Sequence, residues 1–253
     1  KDGTYSVIPR MWGGVTNAAE LRRIADVADK YQVPMVKVTG GQRIDLLGIR
    51  KEDLPGVWKD LDMPSGHAYG KSIRTVKTCV GSEFCRFGTQ NSTQMGIDLE
   101  HALFNMWSPH KVKLAVSGCP RNCAESGIKD VGIIGVDSGW ELYIGGNGGI
   151  KTEAGEFFVK VKTAEEVMEY SLAFLQLYRE EAFYLERTVH YMQRVGMDHI
   201  KKAVLDDAER RKALHQRLLF SLSFEQDPWQ EQLSKPQLKK EFDRIAVKQL
   251  ENA

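Results

Sequence analysis

Apolar positions near the start of the chain alternate between the spacing of helices and that of strands. After Asn17, which has Glu20 three residues later as in a helix N-cap, apolar residues recur every three or four positions up to about Lys30. β-Branched runs at 33–39 and 44–47 flank a Gly-Gly turn and predict a hairpin. With a short strand at 5–10 and a helix at 51–61, the order β-α-β-β-α predicts a small α+β unit.

A second unit is predicted after a Pro/Ser/Gly/His-rich stretch at 63–70. Apolar runs predict strands at 111–116, 131–136, 141–144 and 157–161, and a helix at 96–107. Thr163 and Glu166 form a capping-box pattern before a helix to about Glu181. Helical, highly charged sequence follows from Arg187 to Phe220. We therefore predict an α+β fold with three parts: 1–65, 71–185 and a helical extension at 186–253.

Composition excludes several classes of protein. A formal net charge of +1 over 253 residues does not suit a protein that binds nucleic acid by bulk electrostatics. No run of about 18 apolar residues could cross a bilayer. No charged-then-apolar leader is visible at the first residues, so we expect a cytoplasmic protein.

All four cysteines fall into two close pairs, Cys79 with Cys85 and Cys119 with Cys123. Without a secretory leader, a disulfide framework is the weaker interpretation. Structural zinc prefers pairs separated by two to four residues, and the first pair is wider than that. Iron–sulfur clusters accept looser spacings and a proline directly after a ligand, here Pro120. The spacing favours a cluster and leaves zinc open.

The residues around both pairs carry a resemblance to a known family. Thr78 to Gly88 reads TCVGSEFCRFG, and Ser117 to Cys123 reads SGCPRNC. Both segments resemble the two cluster motifs of the siroheme-containing nitrite and sulfite reductases, in spacing, in glycines and in the Cys-Pro step. With the unit before them, the likeness covers about residues 5–161, and the helical extension is most similar to the large subunits of NAD(P)H-dependent assimilatory nitrite reductases.

The resemblance implies a fold and a set of cofactors. It implies a ferredoxin-like half-domain followed by an α+β siroheme and [4Fe–4S] domain. Cys79, Cys85, Cys119 and Cys123 would ligate the [4Fe–4S] cluster, and Cys123 would also supply the sulfur that joins the cluster to siroheme iron. No G-x-G-x-x-G motif lies between a predicted strand and helix, so FAD and NAD(P)H are expected in flavin domains preceding this chain or in a partner subunit.

The same resemblance implies roles for several basic residues near the motifs. Lys111 and Lys113 alternate along a predicted strand and so project from one face, a pattern that is also typical of a solvated strand. In the family, the matching lysines flank the bound anion. Arg10 and Arg74 match two further family arginines, and all four residues are expected to hold nitrite or sulfite and to stabilise negative charge.

Siroheme carboxylates are expected to contact the predicted hairpin. Lys37 and Thr39 match positions that contact these carboxylates in relatives. Many relatives have an arginine where this chain has Gly41, and we expect Arg43 to substitute for it from a shifted register.

The function implied is the six-electron reduction of nitrite to ammonium, as the terminal module of a larger reductase. Sulfite reduction is the first alternative, and an electron-transfer or zinc-stabilised module without siroheme is the second. Family members with two copies of the α+β unit place the cofactor between pseudo-symmetric halves. Because this chain holds one copy, a homodimer with composite sites is a further hypothesis.

Overall fold

The N-terminal unit packs two helices on one antiparallel sheet. The computed structural model describes residues 3–67 and 70–235. The sheet has the strand order β1-β3-β2, with β1 at Tyr5–Val7, β2 at Met35–Thr39 and β3 at Arg43–Ile49. Helices α1 (Ala18–Lys30) and α2 (Leu54–Leu61) complete the predicted β-α-β-β-α order.

Local signals in the sequence explain where these helices begin. The Asn17 side chain accepts hydrogen bonds from the backbone N–H groups of Ala19 and Glu20, as the N-cap prediction requires. One apolar face of each helix then packs on the inner face of β3, and Leu46, Val57 and Leu61 are fully buried in this first core. Burial of these side chains holds the unit together.

The second unit is built on a mixed five-stranded sheet of order β10-β7-β6-β5-β4. Its strands are β4 (Lys77–Thr78), β5 (Leu114–Ser117), β6 (Val131–Val136), β7 (Gly139–Ile144) and β10 (Glu156–Val161). β4, β5 and β6 run parallel, whereas β7 pairs antiparallel with β6 and β10. A two-stranded ribbon of β8 (Asn147–Gly148) and β9 (Thr152–Glu153) lies in the connection between β7 and β10.

Seven further α-helices lie in the described part of the chain. They are α3 (Gly81–Phe84), α4 (Ser92–Ala102), α5 (Ala164–Glu181), α6 (Thr188–Val195), α7 (Met197–Lys201), α8 (Ala208–Leu222) and α9 (Pro228–Ser234). The last of them, α9, packs against α2 of the first unit. The predicted capping box is present, since Thr163 and Glu166 exchange side-chain and backbone hydrogen bonds at the start of α5. Among these helices and the two before them, none has the length and apolar character needed to cross a bilayer.

Helices α6 and α8 and the segment between them share the core of the second sheet. Tyr191, Val204, Leu214 and Leu218 are buried in the same cluster as the residues of β5 to β7. The boundary predicted between 185 and 186 therefore does not separate two cores. The predicted extension beyond Lys235 lies outside the described residues.

A few polar contacts fix the first unit on the second. The Gln42 side chain donates to the Thr78 carbonyl at 2.7 Å and accepts from the Thr78 N–H at 2.8 Å. The Thr78 hydroxyl donates to the Gly13 carbonyl at 2.6 Å. These bonds hold the tip of the β2–β3 hairpin beside β4, which is where the functional residues meet.

Strand β2 leaves one edge of the first sheet open. Met35, Val36 and Val38 are 55%, 48% and 78% exposed, and β2 pairs only with β3 among the described residues. An apolar edge strand with unpaired backbone groups is a site where another strand can add.

Candidate active site

The two cysteine pairs meet because each begins directly after one of two neighbouring parallel strands. Cys79 follows β4, and Cys119 comes two residues after the end of β5. The carboxyl ends of adjacent parallel strands lie at one edge of a sheet, so the loops that follow them are close together. Here all four cysteines line one cavity of about 480 Å³.

Backbone hydrogen bonds join the two cysteine loops. The Gly118 N–H donates to the Cys79 sulfur at 3.1 Å, and the Thr89 N–H donates to the Gly118 carbonyl at 2.8 Å. A Cβ atom at Gly118 would lie 2.8 Å from the Gln90 carbonyl oxygen, so a larger residue would push the loops apart. Gly118 therefore lets a backbone N–H reach the Cys79 sulfur, a contact that is common around metal-binding thiolates.

The state and spacing of the cysteines suit a cluster better than zinc. All four are free thiols; Cys119 is buried, Cys79 and Cys85 are half-buried, and Cys123 is exposed. In the described part of the chain, no three His, Cys, Asp or Glu side chains are close enough to hold one metal ion. A zinc ion needs its sulfurs at about 2.3 Å on a tetrahedron. Four thiols spread around a cavity instead suit a group that contains several metal atoms.

A second cavity, of about 390 Å³, is lined by cationic side chains. Its cations are Arg43, Arg74, Lys77, Lys111, Lys113 and Lys129, with Glu125 as the carboxylate among its lining residues. This cationic cavity adjoins the cysteine cavity along three segments: the hairpin tip at 40–42, strand β4, and the loop from 123 to 125. The structure thus places three of the residues predicted for the anion site, Arg74, Lys111 and Lys113, around one cavity. Arg43, predicted to contact a siroheme carboxylate, lines the same cavity.

Pairing of backbone segments explains why the predicted arginine and lysines meet. The Arg74 N–H donates to the Val112 carbonyl at 3.0 Å, which places Arg74 beside the residue between Lys111 and Lys113. Val112 is fully buried and both lysines are half-buried, so the alternation inferred from the sequence holds. Burial, then the neighbouring charges of Lys111 and Arg187, lower the pKa of Lys113. Lys113 is thus able to donate a proton more readily than an ordinary lysine.

Arg43 reaches the cationic cavity because residue 41 is glycine. A Cβ atom at Gly41 would lie 3.1 Å from an Arg43 guanidinium nitrogen, so the guanidinium packs over the glycine. The Nε and Nη1 atoms of Arg43 are buried and have no hydrogen-bond partner among the described residues. The Thr75 hydroxyl, in the same cavity, is also buried without such a partner. Buried hydrogen-bond donors are normally paired, so these donors suit a ligand that brings an acceptor.

Sequence reasoning missed three residues of the cationic cavity. The Glu125 carboxylate forms ion pairs with Lys77 and Lys129, and each lysine Nζ lies 3.0 Å from Oε2. This one carboxylate balances only one of the two lysine charges, and Arg43, Lys111 and Lys113 have no carboxylate ion-pair partner in the described residues. Lys77 lies two residues before Cys79 and Glu125 two after Cys123, and that proximity was the signal available in the sequence.

Three predicted residues lie outside this cavity. The Arg10 side chain is 1% exposed; its Nη1 is 2.8 Å from Glu100 and its Nε donates to the Ser65 carbonyl. The structure thus does not bring Arg10 to the predicted anion site, because its guanidinium is hydrogen-bonded to Glu100 and to the Ser65 carbonyl. Lys37 is exposed on β2, and the Thr39 hydroxyl donates to the Arg43 carbonyl, so neither lines the cavity.

The residues present fit both implied cofactors. Four free thiols around one cavity, with an N–H donor on a sulfur, match the donor set of a [4Fe–4S] cluster. The adjoining cations, with the unpaired donors of Arg43 and Thr75, match an acidic ring with several carboxylates. The fold and the lining of the two cavities fit a protein that holds an iron–sulfur cluster beside an anionic group.

Comparison with known proteins gives the family. The family model described as nitrite and sulphite reductase 4Fe-4S domain matches residues 69–212, and the one for the nitrite/sulfite reductase ferredoxin-like half domain matches residues 1–64. The chain belongs to the nitrite and sulfite reductase family. This membership confirms the predicted α+β class and the predicted cofactor class, siroheme with a [4Fe–4S] cluster. Which residues hold each group stays a prediction.

Individual relatives agree with this assignment. The chain is 62% identical over 248 residues to a NAD(P)H nitrite reductase of Bacillus subtilis, covering 98% of this chain and 31% of the relative. It is 42% identical to the NAD(P)H nitrite reductase large subunit of Klebsiella oxytoca, covering 94% and 25%. The chain therefore spans about a third or less of the length of these two relatives. An assimilatory-type sulfite reductase of Nitratidesulfovibrio vulgaris is 34% identical, with 80% of this chain and 93% of that protein covered.

Solved structures with low sequence identity share the fold. Dissimilatory sulfite reductase I matches with a TM-score of 0.71 at 16% identity, covering 78% of this chain and 68% of that one. The Mycobacterium tuberculosis NirA protein matches with a TM-score of 0.68 at 19% identity, covering 78% and 39%.

Proposed function

We propose that this chain reduces nitrite to ammonium as the terminal module of a larger reductase. One observation carries the proposal: the cavity lined by four free cysteines adjoins a cavity lined by Arg43, Arg74, Lys111 and Lys113. When bound, siroheme and the cluster would supply the electrons and the iron at which the anion is reduced. The names of the NAD(P)H nitrite reductase relatives support nitrite as the substrate.

The cationic cavity would bind and protonate the anion. Arg74, Lys111 and Lys113 lie together on neighbouring segments and would hold a small anion by charge-assisted hydrogen bonds. The lowered pKa of Lys113 makes it the proton donor among them. Arg43, with two unpaired donors, would bind a siroheme carboxylate. Arg10 is left out of this set, because its side chain is buried against Glu100.

Cys123 is the ligand we assign to both metal groups. Of the four cysteines it is the exposed one, and Glu125, two residues later, already lines the cationic cavity. A thiolate at this point would have one side toward the cysteine cavity and the other toward the anion. Cys79, Cys85 and Cys119 would complete the cluster.

One chain supplies both sets of residues in this proposal. The composite homodimer is a hypothesis because this chain holds one copy of a unit that other family members have in two pseudo-symmetric halves. In this chain the two cavities adjoin, so a second copy is not needed to complete the site. A homodimer stays a prediction, and the exposed β2 edge offers a strand where a second copy could add.

Electrons would come from FAD and NAD(P)H domains outside this chain. The chain covers 31% of the B. subtilis relative, whose name includes NAD(P)H, which leaves length for such domains in that protein. We propose the cytoplasm as the compartment, because cluster thiolates must stay reduced and all four cysteines are free thiols.

A visible spectrum combined with anion rates tests the function. Protein made in a siroheme-competent host should show Soret and red-region bands, and should reduce nitrite faster than sulfite with reduced methyl viologen. Faster sulfite reduction would favour the alternative substrate, in line with the N. vulgaris relative. Iron without tetrapyrrole would leave an electron-transfer module, and zinc alone a structural one.

A further inference from the structure

Both backbone polar groups of Lys113 are hydrogen-bonded to the segment that leads into β6. The Lys113 N–H donates to the Asp130 carboxylate, with 2.8 Å between the nitrogen and Oδ2. The Lys113 carbonyl accepts from the Val131 N–H at 3.3 Å. Lys113 directly precedes β5 and Asp130 directly precedes β6, so the two residues lie at the same end of neighbouring parallel strands. These bonds fix the backbone from which the Lys113 side chain enters the cationic cavity.

The Asp130 carboxylate is held in turn by two side chains at the start of α6. Nη2 of Arg187 lies 3.0 Å from Oδ1 and 3.1 Å from Oδ2, and the Thr188 hydroxyl donates to Oδ1. The Asp130 side chain is 1% exposed, and Tyr191 of α6 is fully buried in the core of the second sheet. One buried carboxylate therefore joins the Lys113 backbone to the C-terminal helices, and its charge-assisted hydrogen bonds fix its position.

The same contacts keep the Asp130 carboxylate away from the Lys113 ammonium group. In the described part of the chain, the ion pair of Asp130 is with Arg187, and no carboxylate oxygen lies within ion-pair distance of Lys113 Nζ. Neither Asp130 nor Arg187 lines the cationic cavity, whereas Lys113 does. The pair thus acts on the cavity through Lys113.

Many charged or titratable groups surround Lys113, and two of them form this pair. They are His110 and Lys111 on its own segment, Arg74 on the adjacent segment, Lys129 and Asp130 before β6, Tyr178 on α5, Arg187 before α6, and Arg43, Lys77 and Glu125 around the rest of the cavity. The charge of Arg187 lowers the pKa of Lys113, whereas that of Asp130 raises it. Removal of one charge of the pair should therefore act in the opposite direction to removal of the other.

We propose that Asp130 and Arg187 are positioning residues for Lys113; this rests on the proposed function, in which Lys113 gives a proton to the bound anion. Asp130 fixes the backbone of Lys113, and Arg187 holds the Asp130 carboxylate on that backbone and off the ammonium group. Each proton leaves Lys113 Nζ for an oxygen of the bound nitrite, and solvent then returns a proton to the lysine.

Single charge removals test this role. Asp130→Asn keeps an acceptor for the Lys113 N–H and leaves the Arg187 charge unpaired, so it should lower the pKa of Lys113. Arg187→Gln leaves the Asp130 carboxylate unpaired beside Lys113, so it should raise that pKa. Arg187→Lys keeps the charge and is the conservative variant. The matched controls are Arg211→Gln and Glu169→Gln, which break an ion pair away from the cavity whose arginine side chain, like that of Arg187, is 12% exposed.

Two measurements report the pKa of Lys113. In the cofactor-free protein, the Cε chemical shifts of isotope-labelled lysines are followed against pH by nuclear magnetic resonance. The signal of Lys113 is identified by its absence from Lys113→Arg. In the cofactor-loaded protein, the alkaline limb of kcat/KM for nitrite is measured with reduced methyl viologen as the electron source.

The two charge-removing variants should move both readouts in opposite directions. Asp130→Asn should shift the resonance midpoint and the alkaline limb down by about half a pH unit or more, and Arg187→Gln should shift both up by a similar amount. Arg187→Lys and the two controls should stay within about 0.3 pH unit of the unmodified protein. Shifts of the same sign in Asp130→Asn and Arg187→Gln, no shift in either, or equal shifts in the controls would overturn the positioning role.

Loss of a buried ion pair lowers stability, so far-UV circular dichroism first establishes that each variant is folded. If Arg187→Gln does not fold, the nearly isosteric Asp130→Asn decides: a downward shift supports the role, and an upward shift or none overturns it. Failure of the loaded, unmodified protein to reduce nitrite would refute the proposed function. The resonance titration of the cofactor-free protein would still decide whether the pair controls Lys113.

Discussion

Arg10 donates a hydrogen bond to Glu100 at 2.8 Å across the junction between the two units. Both side chains are almost fully buried, and Glu100 also accepts from the N–H groups of Gly13 and Val76 at 2.8 and 3.0 Å. Burial raises the pKa of Glu100, while Arg10 and the two N–H donors oppose the rise. One carboxylate thus ties the segment after β1 to α4 and to the segment before β4.

Removal of either partner should therefore destabilise the protein strongly. Arg10→Ala or Glu100→Ala leaves a buried charge unpaired, which costs about 3–5 kcal/mol of unfolding free energy. The double variant should lose much less than the sum of the two. Denaturant unfolding of the four proteins measures the coupling. Additive losses would contradict the pairing and would reopen a role for Arg10 at the anion.

The exposed cysteine should carry the link between the two metal groups. Cys123→Ser should abolish the coupled siroheme–cluster signature in absorption and electron paramagnetic resonance spectra, because a hydroxyl is a poor ligand for the cluster. Far-UV circular dichroism should stay unchanged, since Cys123 is not part of either core. A coupled spectrum that persists in this variant would show that another residue bridges the groups.

Lys113 should control turnover and its alkaline limit. Lys113→Ala should retain both cofactors and lose about a hundredfold in kcat/KM for nitrite. In the unmodified protein, activity should fall as pH rises through the lowered pKa of Lys113, because the donor then loses its proton. Lys113→Arg keeps its charge at high pH, so its alkaline limb should move upward. The matched control is Lys160→Ala, at an exposed lysine of β10, which should leave the pH profile unchanged. Wild-type rates in Lys113→Ala would refute the anion site.

We expect Arg43 to lower the stability of the cofactor-free protein and to increase its binding of siroheme. Its two buried, unpaired donors cost free energy until an acceptor arrives. Arg43→Gln should therefore stabilise the cofactor-free protein by about 1–2 kcal/mol and lower the siroheme content of the loaded protein. Thermal unfolding and pigment extraction measure the two effects. A variant that is less stable and fully loaded would contradict this role.

His67 should make stability depend on pH in the acid range. Burial, then the Arg10 charge, lowers the pKa of His67 to about 4, whereas the unfolded chain keeps its ordinary value of about 6.5. Below pH 6.5 the unfolded state binds a proton that the folded state does not, so stability falls as pH falls toward 4. With allowance for partial exposure, the loss should be about 2 kcal/mol.

His67→Asn is the comparison variant, because His67 has a positive φ of 48°, which asparagine tolerates. Unfolding free energies of the two proteins at pH 7, 5.5 and 4 should diverge, with the variant showing the flatter profile. Parallel profiles would mean that the pKa of His67 is the same in the folded and unfolded states, which would contradict the lowered pKa.

Features with a local cause could be predicted from the sequence. The Asn17 cap, the Thr163–Glu166 box and strand β6 are all present, because each depends on neighbouring residues. The grouping of the four cysteines around one cavity could be expected from their paired spacing, whereas their role as ligands stays a prediction. The pairing of Arg10 with Glu100 could not be predicted, since the partners are 90 positions apart and only the packing of two units joins them. The pairing of Lys77 with Glu125 was missed for the same reason, since the two are 48 positions apart, whereas Lys129 lies only four positions after Glu125.

The placement of the cysteine loops after two parallel strands has a consequence for folding. β4 and β5 are separated in sequence by α4 and a long connection, so the ligand set does not exist until a non-local strand pair has formed. Cluster insertion must then follow sheet formation, and the rate at which iron–sulfur absorption appears would report when that sheet closes. If the cluster appears slowly when the protein is made in a host, slow folding of this sheet would be a cause of the delay, in addition to a limited supply of iron.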